Sequence, residues 1–79
     1  MITNRMLFNL YESVNESFNT YLKDQIQSNA YKLGYNVSAM NTFIINNRAH
    51  ISEEEYVEVS AIIDKINNFV ETSMDESTE

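Results

Sequence analysis

Apolar side chains recur every four residues through the first part of the chain: Met6, Leu10, Val14, Phe18, Leu22, Ile26 and Ala30. Leu7, Tyr11, Tyr21 and Leu33 broaden the stripe. This spacing predicts an amphipathic helix over about residues 5 to 33, with a break allowed near Asp24. Asp24 and Gln27 have the spacing of a capping box for a second helix. Gly34 is expected to stop the helix, because glycine enters the left-handed conformation of a helix C-terminus without a Cβ clash. Asn36 would then cap a short helix over about residues 37–46 that buries Val37, Met40, Phe43 and Ile44. Asn46 and Asn47 read as its exit turn, since asparagine tolerates left-handed backbone.

The last helix has the clearest start. Ser52 followed three residues later by Glu55 is a capping box, with Ile51 and Tyr56 at the flanking staple positions. Glu53, Glu54 and Glu55 in the first turn suit the positive end of a helix dipole. Tyr56, Val59, Ile62, Ile63, Ile66, Phe69 and Val70 share one face. From Thr72 onward the chain is polar and acidic, the composition of a flexible tail. The expectation is a mainly α fold, a small bundle of three to four helices, with one domain over residues 1–71 and an acidic tail over 72–79.

Composition narrows this. There is no proline, Gly34 is the single glycine, and there is no cysteine. A chain of 79 residues buries only about 60% of the surface it exposes when unfolded, and no disulfide supplements the core. A homodimer is therefore expected, with Phe8, Phe18, Phe69 and Val70 at its interface. No stretch has the form of a signal peptide or the length of a membrane span, so the expected location is the cytoplasm.

Charge is unevenly spread within the net −7. Residues 1–24 carry Arg5 and Lys23 against Glu12, Glu16 and Asp24. Residues 25–52 hold no acid, only Lys32, Arg48 and His50. Residues 53–79 hold nine acids against Lys65. The middle can approach a polyanion, and the end would repel one.

Reactive chemistry is sparse. There is one histidine, no thiol, no nucleophile elbow and no phosphate-cradling glycine loop, so no enzymatic activity and no cofactor are expected. His50 and Glu54 could both reach a metal, but two ligands do not make a structural site. The three consecutive glutamates read as dipole compensation on a solvated turn.

Two stretches resemble known families. Ala30-Tyr31-Lys32-Leu33-Gly34, Ser38, Met40, Ile45-Asn46-Asn47-Arg48, Ile51-Ser52 and Ile62-Ile63-Asp64 resemble the second half of a Cro-like helix-turn-helix domain. Residues 5–47 resemble ribbon-helix-helix repressors of the plasmid repressor and antitoxin type. In these, Arg5-Met6-Leu7-Phe8-Asn9-Leu10 would be a short N-terminal strand and residues 34–40 the turn between helices. Either resemblance implies a small dimeric DNA-binding regulator from a phage, plasmid or other mobile element. The helix over 37–46 would present Ser38, Asn41, Thr42 and Asn46 to base edges, while Lys32 and Arg48 hold phosphates. The alternative is an acidic inhibitor that docks on a basic host protein, as a nucleic-acid mimic would, through Glu54, Glu55, Glu58 and Asp64. An antitoxin would combine the two.

Overall fold

A computed structural model describes the backbone of residues 1–77 and the side chains of residues 1–71. Three helices account for nearly all of it: α1 (Arg5–Lys23), α2 (Gln27–Asn46) and α3 (Glu53–Ser77), with one 3-10 turn (Arg48–His50) before α3. Short connections force consecutive helices to pack antiparallel. The result is an up-down-up bundle measuring 43 × 20 × 19 Å, and no strand occurs among the described residues. The mainly α reading of the sequence holds. Residues 5–10 are helical, which corrects the short N-terminal strand.

The four-residue stripe is a near-miss for a helix. A step of four residues turns about 40° beyond a full revolution, so the stripe walks around α1. Val14 and Phe18 lie in the core, whereas Met6 and Leu22 at the ends of the walk are exposed. Leu7, one position over, is fully buried instead. By Ile26 the stripe has left the core, and the helix has ended. Asp24 is extended, with φ −146° and ψ 98°, and its amide donates to the Thr20 carbonyl at 3.0 Å.

The capping box expected at Asp24 does not form. Ile26 holds the N-cap position of α2, with no side-chain hydrogen bond. The carbonyl of Asp24 instead accepts from the Asn29 side chain at 2.8 Å, which explains why Asn29 is buried. A buried amide is tolerated because it is hydrogen-bonded.

Gly34 does not stop a helix. α2 passes through it without a positive φ, so the separate helix over 37–46 is the second half of α2. Asn36 is no cap either. Its side-chain amide donates to the Ser17 hydroxyl and, at 3.4 Å, to the Ser13 carbonyl, tying α2 to α1. Helix-compatible residues flank Gly34 on both sides, and burial of Leu33, Met40 and Ile44 outweighs the cost of one glycine. α2 does end at Asn46, but Asn47 has φ −123° rather than left-handed geometry. Its backbone and side-chain amides both donate to the Phe43 carbonyl, at 2.9 and 3.0 Å.

The core joins Leu7, Val14 and Phe18 of α1, Leu33, Met40 and Ile44 of α2, and Val59 and Ile66 of α3, closed at one end by Ile2 and Ile51. Phe69 meets Phe18 edge-on at a centroid distance of 5.7 Å and Tyr21 at 6.1 Å. Phe18 therefore fills the protomer's own core, which corrects its place in a dimer interface. Phe69 and Val70 are also largely spent inside the bundle, and only Phe8 is exposed. The side chains of residues 72–77 and all of residues 78–79, where the acidic tail was expected, lie outside the described residues.

A Cβ added at Gly34 would meet nothing within 4 Å. Gly34→Ala should therefore raise stability by about 0.5–1 kcal/mol, the usual gain for removing a helix-interior glycine. The urea midpoint checks this; a fall would restore Gly34 as a left-handed cap.

Candidate functional site

The start of α3 is built around one side chain. The Ser52 hydroxyl accepts from the Glu55 amide at 3.1 Å, and Glu55 Oε1 accepts from the Ser52 amide at 2.9 Å, completing the expected capping box. The other carboxylate oxygen, Oε2, reaches the start of α1. It accepts from the amides of Thr3 at 2.9 Å and Asn4 at 2.8 Å. Asn4 in turn caps α1, its side-chain oxygen accepting from the Leu7 amide at 3.1 Å. One carboxylate thus serves two helix N-termini.

Glu55 is only 3% exposed. The Asn4 amide foremost, then the Ser52 amide, hold its pKa down to about 2 from an ordinary 4.5, against the opposing effect of burial. This corrects the assignment of Glu55 to a docking face, because both its oxygens are used inside the fold. Glu54 and Glu58 stand beside the amino group of Met1, at 3.7 and 3.4 Å. Asp64 is exposed on a line turned about 80–120° around α3 from those two. The four acids chosen from sequence therefore do not form one face. The acids that align are Glu53, Asp64 and Glu71, at spacings of 11 and 7 residues, a helical pattern open to recognition from sequence.

The residues assigned to DNA are also separated. Ser38, Asn41, Thr42 and Asn46 are all exposed on α2. Lys32 is exposed too and lines a recess beside α1 with Glu16, Ser17, Thr20 and Asn29; around α2 it lies about 40° from Asn46 but half a turn from Asn41. Arg48 is held from three sides. It pairs with Glu53 at 3.0 Å, its guanidinium lies 4.0 Å from the Tyr56 ring centroid, and it donates to the Ile51 carbonyl at 3.5 Å. Two large side chains missed by the sequence reading, Tyr31 and Tyr35, stand outward on α2 at 70% and 76% exposure.

His50 is exposed on the 3-10 turn. Among the described residues no three histidine, cysteine or carboxylate side chains are grouped to hold a metal ion. No described helix is long and apolar enough to cross a membrane. No protein-family model, curated protein or solved structure matches the chain.

The Glu55 network makes stability depend on acid. Its carboxylate contributes fully above pH 4.5, and the contribution is lost as pH falls through the folded value of about 2. Glu55→Gln should melt lower than wild type at neutral pH, with the gap closing between pH 4.5 and about 2. Ser52→Ala, which removes only the hydroxyl cap, should cost about 1 kcal/mol. Thermal melts across this range check both; a gap that is constant with pH would mean Glu55 does not titrate as the geometry requires.

Proposed function

We propose that the chain is a non-enzymatic, acidic protein-binding module whose partner presents a basic surface. The observation that carries this reading is the disposition of charge. Arg48, assigned to phosphate contact, is already committed to Glu53 and Tyr56. Asp64 and Glu71 are exposed, and neither has an ionic partner among the described residues. Unpaired surface acids steer basic partners at long range, and exposed tyrosines such as Tyr31 and Tyr35 are typical interface anchors. An inhibitor or antitoxin of a mobile element would act in this way.

One observation favours a second reading, the DNA-binding regulator. Ser38, Asn41, Thr42 and Asn46 are exposed together on a helix that carries no acid. Against it stands the thin supply of cations. Lys32 is the single lysine of α2, which has no arginine, and DNA affinity rests largely on phosphate neutralisation.

Two assays separate the readings. In a mobility-shift titration with mixed-sequence duplex DNA at low salt, no shift is expected. In a pull-down from host lysate, wild type should retain proteins that elute with salt, and Asp64→Lys with Glu71→Lys should lose them. A DNA shift that Asn41→Ala weakens by about 1–3 kcal/mol would reverse the order of the two readings.

A further inference from the structure

The seam between α2 and α3 is open. Two recesses along it, of about 420 and 320 Å³, share Asn41 and so form one trough. It runs along α2 from Ala30 to Ile45, about 22 Å at 1.5 Å per residue, or four helical turns. Its floor is apolar, with Leu33 and Val37 facing Ile66 and Val70 at one end and Ile44 facing Ile63 at the other. Across the molecule α1 and α2 are the closely packed pair, and α3 stands further from both.

Gly34 lies on the wall of the trough. Glycine inside a helix costs stability, and nothing in the protomer needs the space, since a Cβ there would touch no neighbour. Glycine does allow another backbone to approach closely. The rim has two characters. Ile45 stands exposed along the α2 side, at 71%. On α3, Asp64 and Glu71 lie one helical position outward from the lining residues Ser60, Asn67 and Val70. An apolar trough four turns long with acids along one edge is complementary to an amphipathic helix with a basic flank.

We infer that the α2–α3 seam is the docking groove for a cationic amphipathic helix of the partner protein. The apolar face of that helix lies over the floor, its backbone passes close to Gly34, and its lysines or arginines meet Asp64 and Glu71. This inference rests on the protein-binding reading and adds to it the surface used and the shape of the partner segment.

The test uses three fluorescein-labelled peptides of about 16 residues, enough for four turns. One carries leucines at helical spacing i, i+3, i+4, i+7 with lysine flanks. The second is the same composition scrambled, and the third replaces lysine by glutamate. Fluorescence anisotropy with the full chain should show binding of the first, and at least about tenfold weaker binding of the other two. Gly34→Phe and Asn41→Trp, each filling the trough from a different position, should weaken the first peptide by about tenfold or more. Circular dichroism and thermal melts identify whichever variant stays folded, and one folded variant is sufficient. Asp64→Asn with Glu71→Gln should weaken binding and flatten its dependence on salt.

Equal binding of the scrambled peptide would overturn the inference, as would wild-type binding by a folded trough-filling variant. So would a wild-type dimer in sedimentation that Gly34→Phe dissociates, since a second copy would then occupy the groove. If trough variants keep the lysate partners that charge reversal loses, the groove is wrong and the basic-partner reading stands. If charge reversal loses nothing, that reading fails as well.

Discussion

The fold depends on a single carboxylate shared between two helix starts. Glu55 takes the Ser52 amide on one oxygen and the Thr3 and Asn4 amides on the other, across some fifty residues of chain. Placing two helix N-termini side by side brings together two positive dipole ends, and a buried anion between them offsets both. A buried charge is costly unless it is fully hydrogen-bonded, as this one is. The contact also sets the register of α1 against α3. Phe18 lies fourteen residues beyond Asn4 and Phe69 fourteen beyond Glu55, and these two rings meet. Parallel alignment fixed at one end thus delivers the aromatic contact about 21 Å along the bundle.

With α1 and α3 joined in this way, α2 completes the bundle unevenly. Towards α1 it is tied by the polar bonds of Asn36 as well as by core packing. Towards α3 it contributes apolar side chains, but Gly34 and the small residues around it leave the trough unfilled. The functional reading grows from that asymmetry. Arg48 is consumed at the base of α3, the acids at residues 64 and 71 are not, and the open seam lies beside them.

Much of this was legible in the residue pattern, for identifiable reasons. The α3 start is encoded locally: Ser52 and Glu55 form a self-contained capping box, and it folds as written. The helical class followed from apolar spacing without proline. What misled was context. Gly34 and Asn36 have the chemistry of a helix stop and restart, yet tertiary burial on both sides carries the helix through. Asn29 and Asn36 look like surface or cap residues until the groups that they bond, the Asp24 carbonyl for one and Ser13 and Ser17 of α1 for the other, are known. Glu55 has the local signature of an ordinary capping glutamate. Its second role depends on Thr3 and Asn4 arriving from the far end of the chain, which no local pattern records. The candidate sites suffered in the same way, because the partners of Arg48 and of Glu55 are set by neighbouring elements.

The most direct test of the Glu55 bridge is a carbon-detected nuclear magnetic resonance titration of the glutamate side-chain carboxyls. The account predicts that Glu55 titrates near pH 2 rather than near 4.5, and that the amide protons of Thr3, Asn4 and Ser52 shift along the same curve. A Glu55 carboxyl titrating near 4.5, with the Thr3 and Asn4 amides indifferent to it, would contradict the shared cap and the parallel register that rests on it.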